Sequence, residues 1–311
     1  MFFEGSEKKV EIVVKSNIDL LSVEESFWSA LVKEAKATIL SSIKNKNCKA
    51  YLLSESSLFV WSDRIVLITC GQTTLVEAIK FFLKSYPKEQ LESLIFQRKN
   101  EYFSHLQKTS FLDDIELLEK EVTGKAYRFG KMHEHHNFMF CTDHPYDAPD
   151  EDITNELLMY DISGEASIIL NKSHENTKQI RSFLKLETLF PDYQIDDFAF
   201  SPQGYSANAI RDEFYFTIHI TPEEFNSYVS FETNEPLCKA KLAELLDILK
   251  PESFDLVTFN HEDSLEIPTN YHKRALVREK INLGYNVIFS HFYNKETVND
   301  RALIFDHKEQ R

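Results

Sequence analysis

A run of hydroxyl side chains interrupts an apolar stretch at residues 51–61, which reads YLLSESSLFVW. Ser54, Glu55, Ser56 and Ser57 are poor filler for a buried strand, so one interpretation is a polar bulge or an exposed edge. Another interpretation is chemical. The Ser56 hydroxyl could attack its own preceding carbonyl and give an ester by an N→O acyl shift. Removal of the serine Cα proton would then expel the upstream carboxylate and leave a pyruvoyl ketone, an electron sink for amino-acid chemistry.

Such a site would also need a base near the serine and a proton donor. Cys70 lies at the end of a predicted hairpin and immediately before a predicted helix, where the helix N-terminus lowers a thiol pKa. His219 lies in the alternating pattern FTIHITPE, and Ser206 follows a glycine turn. Each has an ordinary alternative interpretation: a buried structural cysteine, a core histidine and a turn serine. The residue types alone leave these alternatives open.

Apolar periodicity predicts an α+β chain in which short turns join antiparallel strands and helices cover the sheets. The predicted strands include 8–14, 49–53, a hairpin over 57–69 with its turn at Ser62-Asp63, 126–132, 137–142, 213–220, 227–232 and 285–292. The predicted helices are 22–40, 73–86, 111–122 and 239–251. Ser22 and Glu25 match a capping box at the start of the first helix. The order strand, hairpin, helix occurs in both halves, which hints at internal duplication.

Composition excludes several function classes. The net charge is −15, which argues against binding a phosphate backbone, and seven glycines leave no Gly-rich phosphate loop. No apolar stretch approaches the length of a membrane span, and the first residues, MFFEGSEKKVEIVV, do not form a signal peptide. The four cysteines lie far apart without a CxxC motif, which is typical of free thiols in a reducing compartment. We therefore expect a cytoplasmic protein with no nucleic-acid or membrane partner.

The chain resembles eukaryotic S-adenosylmethionine decarboxylase in a series of motifs that keep the family's order. The matching stretches are FFEGSEK (2–8), YLLSESSLFV (51–60), TCGQTTL (69–75), RKN (98–100), PQGYSANAI (202–210), TIHITPE (217–223) and YVSFETN (228–234). The resemblance implies a single domain over 1–311 with a four-layer α-β-β-α sandwich of two similar halves. It also implies self-cleavage at Glu55–Ser56 into a β chain, 1–55, and an α chain, 56–311.

The resemblance assigns a role to each chemical group. It implies a pyruvoyl cofactor made from Ser56, which would bind the amine of S-adenosylmethionine and promote its decarboxylation to the aminopropyl donor of spermidine and spermine synthesis. Cys70 matches the proton donor to the resulting carbanion, and His219 matches the base that takes the Ser56 Cα proton. Ser206 matches a second processing residue. The acids Glu4 and Glu7 match catalytic residues near the N-terminus.

The implied substrate site joins aromatic rings and a carboxylate. Phe3 and Phe200 match two rings that sandwich the adenine, and their faces would favour the sulfonium cation. Glu223 matches the carboxylate that accepts from both ribose hydroxyls. The resemblance also places Glu55 in the substrate site.

Several family members are stimulated by putrescine, which buried acids hold at a second site. The matching residues here are Glu11, Asp152, Thr154, Glu156, Glu232 and Tyr285. Four carboxylates in a protein interior would repel one another unless a dication joined them, which predicts a diamine site. Ile68 and Ile95 replace a family lysine and a family aromatic, whereas Lys8 and Arg98 are retained. Activation by putrescine is therefore left open. A homodimer is the family expectation, although plant-like members can be monomers.

The sequence offers two further interpretations. The stretch MHEHHNF (132–138) contains three histidines and a glutamate, but as a turn between predicted strands it favours no metal site. Some relatives of the enzyme are catalytically dead partners that activate a working subunit. Such partners usually lose catalytic residues, whereas Glu55, Ser56, Cys70, Ser206 and His219 are all present here.

Overall fold

The computed structural model describes residues 7–54, 56–99, 101, 104, 107–172, 176–201, 203–222, 227–261 and 267–295. Within these residues, sixteen strands form two eight-stranded antiparallel sheets that are accompanied by seven α-helices. The strands are β1 (Lys8–Val14), β2 (Ile39–Lys44), β3 (Lys49–Leu53), β4 (Ser56–Val60), β5 (Arg64–Thr69), β6 (Leu91–Arg98), β7 (Gly124–Gly130), β8 (His136–Thr142), β9 (Thr154–Tyr160), β10 (Gln194–Ala199), β11 (Tyr205–Arg211), β12 (Phe214–Thr221), β13 (Tyr228–Thr233), β14 (Ser253–Phe259), β15 (Tyr271–Lys280) and β16 (Asn286–Asn294). The helices are α1 (Glu25–Glu34), α2 (Leu75–Ser85), α3 (Phe111–Leu118), α4 (Gly164–Lys172), α5 (Thr177–Phe183), α6 (Leu186–Leu189) and α7 (Lys239–Leu249).

The two halves of the chain build the same sheet twice. The first sheet has the strand order β2-β3-β4-β5-β1-β6-β8-β7, and the second has β10-β11-β12-β13-β9-β14-β16-β15. When the strands are numbered from one to eight within each half, the two orders are identical. The predicted α+β class and the internal duplication are therefore confirmed.

Four layers follow from where the apolar side chains lie. One core joins the first sheet to α1–α3 and includes Trp28 and Phe82, and a second core joins the other sheet to α4–α7. Between the sheets, smaller apolar clusters fill the centre, and Phe59 of β4 packs on Tyr215 of β12 with ring centroids 4.5 Å apart. The predicted α-β-β-α sandwich is confirmed.

Equivalent strands of the two halves face each other across the central layer. Ser41 of β2 donates to Asp196 of β10 at 2.6 Å, and the Asn208 amide of β11 donates to the Tyr51 carbonyl oxygen of β3 at 3.0 Å. The pair β4 and β12 makes the aromatic contact described above. A local twofold relation between the halves therefore decides which strands can share a site.

The first helix is shorter than predicted. The sequence pattern predicts a helix over 22–40, but α1 ends at Glu34 and Ile39–Lys44 forms the edge strand β2. Lys36 has a φ of +66°, a left-handed conformation that stops a helix. The apolar residues beyond this point continued the apparent periodicity but belong to a strand.

The predicted capping box at Ser22 and Glu25 is wrong. The Ser22 hydroxyl donates to the Asp19 carbonyl oxygen at 2.6 Å within a short 3-10 turn, and α1 begins only at Glu25. A capping box does form at the start of α3, where Ser110 and Asp113 bond each other's backbone N–H groups.

Several central strands gave no sequence signal. All seven residues of β9, TNELLMY, and of β14, SFDLVTF, are buried. Strands that are covered on both faces lose the alternation of polar and apolar residues that identifies a strand in sequence. In the described part of the chain, every helix is too short or too polar to cross a bilayer.

Candidate active site

Ser56 begins β4 in a strained backbone conformation. Its φ is +127°, which residues with a side chain rarely adopt. Neighbouring strand residues normally point to opposite faces of a sheet. Here the Oγ atoms of Ser56 and Ser57 lie 2.9 and 3.1 Å from the same atom, Nε2 of His219. The positive φ thus lets two successive hydroxyls reach one imidazole, in a position that is almost fully buried.

His219 and Ser206 come together because their strands pair in register. Residue 206 of β11 is directly opposite residue 219 of β12, and the Ser206 Oγ lies 2.8 Å from Nδ1 of His219. Burial lowers the pKa of His219 to about 3. The imidazole is therefore neutral at physiological pH, the state in which a histidine can accept a proton.

Two residues that the sequence analysis missed complete this network. The Thr217 Oγ1 lies 2.8 Å from Nε2 of His219, and both Thr217 and Ser57 donate to Oδ1 of Asn208, at 3.0 and 2.5 Å. Thr217 is two residues before His219, and Asn208 is two residues after Ser206. The two-residue period of a strand places such positions on one face, so this rule could have found both.

Cys70 directly follows β5 and is buried. The preceding residue, Thr69, is opposite Ser56 in the β4–β5 pair, so Cys70 is one residue beyond the position that faces the serine on the adjacent strand. The predicted helix-terminal position is wrong, because α2 begins only at Leu75 and the helix dipole acts within about one turn. Lys8 instead fixes this segment by donating to the Gly71 carbonyl oxygen at 2.9 Å.

Glu7 contacts the strand next to that of His219 through Ser230. Ser230 of β13 is opposite His219 of β12, and its hydroxyl donates to the Glu7 carboxylate. Burial raises the pKa of Glu7 to about 7, although the Ser230 hydrogen bond and the charge of Lys99 oppose the shift. The group can therefore hold a proton near neutral pH.

Phe200 follows β10 at the edge of the second sheet. It is half-buried, its N–H donates to the Gly204 carbonyl oxygen at 2.8 Å, and its ring centroid is 5.0 Å from that of the exposed Phe198. An aromatic face is thus available on the strand that pairs with the Ser206 strand. Four predicted site residues lie outside the described residues: Phe3, Glu4, Glu55 and Glu223.

The predicted effector acids lie between the centres of the two sheets, and the chain supplies cations for them. The Lys9 Nζ is 2.9 Å from Glu156 and 2.8 Å from Glu232, and Lys99 also contacts Glu156. Burial alone would lower the pKa of Lys9, but the charges of Glu156 and Glu232 outweigh it and raise the pKa. This lysine is almost fully buried and remains charged.

The remaining effector acids surround an arginine. Arg64 holds Asp152 with two bonds of 2.8 and 3.0 Å and Glu11 with one of 3.0 Å, and the Tyr285 hydroxyl donates to Asp152 at 2.7 Å. Burial raises the pKa of Glu11 to about 7, partly offset by the charge of Arg64. Thr154 lines a cavity of about 290 Å³ beside these groups.

The structure therefore contradicts the argument that the four acids repel unless a dication joins them. Lys9, Arg64 and Lys99 already neutralise most of their charge. Lys9 is directly opposite Ile68 in the β1–β5 pair, and Ile68 is the residue that, by the resemblance above, replaces a family lysine. The strand period places Lys9 on the same face as Glu11, so the sequence carried a signal for this pairing.

The histidines of MHEHHNF do not converge on one another. His133 is exposed and His136 contacts the Glu134 carbonyl oxygen through Nδ1, whereas Nδ1 of His135 lies 3.0 Å from Asp255 on the other sheet. The histidines of this turn therefore do not form a ligand set by themselves.

Comparisons with known proteins show which family the chain resembles. A family model described as adenosylmethionine decarboxylase matches residues 1–300. The S-adenosylmethionine decarboxylase proenzyme of Leishmania donovani is 35% identical over 285 residues, which cover 84% of this chain and 74% of that protein. The proenzyme of Drosophila melanogaster is 30% identical over 338 residues, covering 96% and 97%. The crystal structure of the Trypanosoma brucei AdoMetDC-delta26 monomer has the same fold, with a TM-score of 0.60 at 24% identity over 77% of this chain and 99% of that one.

Proposed function

The chain belongs to the adenosylmethionine decarboxylase family, and on that premise we propose that it decarboxylates S-adenosylmethionine with a pyruvoyl group made from its own Ser56. Self-cleavage between Glu55 and Ser56 divides it into residues 1–55 and 56–311. The product is the aminopropyl donor for spermidine and spermine synthesis. One observation carries the proposal: a strained, buried Ser56 has its hydroxyl 2.9 Å from an imidazole that burial keeps neutral.

The first stage of cleavage is an acyl shift at Ser56. Its Oγ attacks the preceding carbonyl carbon, the peptide C–N bond breaks, and the hydroxyl proton ends on the departing nitrogen. The positive φ at Ser56 favours this step because the ester no longer has to hold the strained peptide. Ser206 is one strand from His219 and fixes the imidazole through Nδ1.

The second stage is an elimination that needs a base. His219 takes the Cα proton of Ser56, and the Cβ–Oγ bond breaks. The upstream chain leaves with a free main-chain carboxylate at Glu55. The remaining dehydroalanine hydrolyses to the pyruvoyl group with loss of ammonia. The neutral state of His219 supports this role, since a charged imidazole could not accept the proton.

The residues around position 56 fit a pyruvoyl group. The group would supply a ketone that accepts electrons from the substrate. Its surroundings are buried but polar, with the hydroxyls of Ser57 and Thr217 close by. Cys70, which follows the residue opposite Ser56, would hold a proton at Sγ and supply it to the product carbon. Glu7 is a second group that can hold a proton near neutral pH.

The substrate contacts are proposed from the family pattern. Phe200 offers its ring to the adenine together with Phe3, and Glu223 accepts from the ribose hydroxyls. Glu4 is assigned to catalysis and Glu55 to the substrate site on the same basis. The aromatic face of Phe200 at the edge of the second sheet supports its part in this assignment.

Mass spectrometry and carbon dioxide release test the proposal together. Purified protein should give two chains with a pyruvoyl group at position 56, and it should release labelled carbon dioxide from carboxyl-labelled S-adenosylmethionine. The Ser56→Ala variant should do neither. Ser54→Ala is the matched control, because the Ser54 hydroxyl bonds only the Thr38 N–H among the hydrogen bonds found in the described residues. An intact, inactive parent chain would overturn the proposal and favour a regulatory partner.

We propose further that Lys9 takes the place of a bound diamine, so that putrescine is not required. Its ammonium lies between Glu156 and Glu232 and opposite Ile68. Putrescine should change the parent turnover less than twofold, whereas Lys9→Met, if folded, should become stimulated by it. Strong stimulation of the parent would overturn this part. A homodimer and a cytoplasmic location remain proposals. The four free cysteines, Cys48, Cys70, Cys141 and Cys238, suit the latter.

A further inference from the structure

A second polar cluster lies on the same cross-strand row as the proposed active site. The row runs across the inner face of the second sheet through Ser206, His219, Ser230, Leu158, Asp255 and His291. His291 is four strands from His219, which is roughly 19 Å at the usual strand spacing. The far end of this row therefore forms a site of its own.

Three side chains meet there in the interior. Nδ1 of His291 is 2.6 Å from one carboxylate oxygen of Asp255, and Nδ1 of His135 is 3.0 Å from the other. The imidazole rings stack with their centroids 4.1 Å apart, and the Tyr160 hydroxyl donates to Asp255 at 3.0 Å. All three residues are at least nine-tenths buried.

The cluster joins the two sheets. Asp255 of β14 and His291 of β16 are opposite each other in the second sheet, whereas His135 comes from the turn before β8 in the first sheet. Hydrogen bonding does not satisfy the whole cluster, because Nε2 of His291 is buried without a hydrogen-bond partner among the described residues. A buried polar atom of this kind is costly.

We propose that His135, Asp255 and His291 bind a divalent transition-metal ion of the zinc class. Each residue offers one ligand atom, and the three atoms lie within 4.8 Å of one another. Imidazole nitrogen and carboxylate oxygen are normal zinc ligands at about 2.0–2.2 Å, so small side-chain movements close the site. Tyr160 then orients the carboxylate from outside the coordination sphere.

The site has an entry path and an open position. His135 lines a cleft of about 1300 Å³ that is also bordered by His133, Glu134 and Tyr293. Water from the cleft can complete a tetrahedral shell. Since the ligands come from both sheets, the ion clamps the β7–β8 turn to the second sheet at the end of the row away from His219. Its role is structural and does not depend on the decarboxylase assignment.

Zinc binding to tag-free protein, stripped with a chelator, tests this inference. Isothermal titration with Zn²⁺ should show roughly one ion per chain, Co²⁺ should give the absorption bands of a low-coordinate site, and Zn²⁺ should raise the Tm. His135→Gln should weaken Zn²⁺ binding at least tenfold. His133→Gln is the matched control, because it changes a histidine of the same turn that is 74% exposed, and it should bind like the parent.

Two results would overturn the site: no Zn²⁺ binding at micromolar concentration, or binding that His135→Gln leaves unchanged. Asp255→Asn serves as a second ligand variant if His135→Gln does not fold. The readout is metal binding and Tm, so it stands whether or not the chain cleaves itself.

Discussion

Two pairs of equivalent strands face each other across the central layer, and they carry opposite chemistry. Where β4 meets β12, the contacts join hydroxyls to the neutral imidazole of His219. Where β1 meets β9, the Lys9 ammonium contacts the Glu156 carboxylate at 2.9 Å. All of these groups are buried, and the two pairs are close to each other in the sheet order.

The difference shows how a duplicated fold acquires a site. A perfectly symmetric pair would place like groups opposite each other, lysine against lysine or histidine against histidine. Each pair is complementary instead. Burial acts on both pairs. It lowers the pKa of His219, whereas the charges of Glu156 and Glu232 keep Lys9 charged. The same interior thus holds a neutral histidine, which can accept a proton, and a lysine that keeps its charge.

Replacing His219 tests the pair of β4 and β12, and its effect on the rate of self-cleavage should be the largest of those predicted here. His219→Gln keeps a polar side chain of similar size but cannot take a proton. Self-cleavage, followed by gel electrophoresis over time, should slow by about 10²–10⁴-fold, the usual value of a general base. His272→Gln, which changes an exposed histidine on β15, should cleave at the parent rate. Normal cleavage in His219→Gln would place the base elsewhere.

Replacing Lys9 tests the pair of β1 and β9 through the free energy of unfolding. Lys9→Met fills similar volume but leaves Glu156 and Glu232 without this partner, and losing one member of a buried ion pair costs about 3–5 kcal/mol of unfolding free energy. Urea denaturation of Ser56→Ala protein, which keeps the chain intact, measures the change. Lys49→Met removes a contact to a largely exposed Glu25 and should cost about 1 kcal/mol or less.

A double variant sharpens this result. Lys9→Met combined with Glu232→Gln removes one of the two carboxylates that the lysine neutralised, so part of the lost stability should return. If the Lys9 and Lys49 variants lose equal amounts of unfolding free energy, the buried ion pair contributes no more to stability than the surface one.

The neutrality of His219 should appear in the pH dependence of stability. Its pKa is about 3 in the folded chain and 6.5 in the unfolded chain, so the unfolded state binds the extra proton between these values. Stability should therefore fall as the pH drops from about 6.5 towards 3. His219→Gln in the Ser56→Ala background should flatten that fall in urea titrations at several pH values. An unchanged slope would mean that the folded imidazole titrates normally.

The local pattern of apolar and polar residues predicted many of the strands and helices but missed some central strands. The hairpin of β4 and β5 was predicted over 57–69, with Cys70 at its end, because the turn Ser62-Asp63 separates two apolar runs. The fully buried strands β9 and β14 lack alternation, so Glu156 and Asp255 had no predicted strand to position them.

Pairing across the sheets was the larger gap. Lys9 and Glu156 are 147 residues apart, and His135 and Asp255 are 120 apart. No local period reports which face of one sheet meets which face of another. The family motifs supplied Ser206 and His219 by resemblance, but only the structure shows that Asn208 and Thr217 bind the same hydroxyl network.

Glu7 gives the smallest expected effect and has the opposite sign. Burial raises its pKa to about 7 from 4.5, so the folded state binds the extra proton in this window and stability should fall as the pH rises through it. Glu7→Gln in the Ser56→Ala background should reduce that fall, while Glu24→Gln, at an exposed position, should not. Part of the slope should remain, because burial also raises the pKa of Glu11 to about 7. A slope identical to the parent would mean that Glu7 is ionised in the folded chain, and the proton-holding role proposed for it beside His219 would be lost.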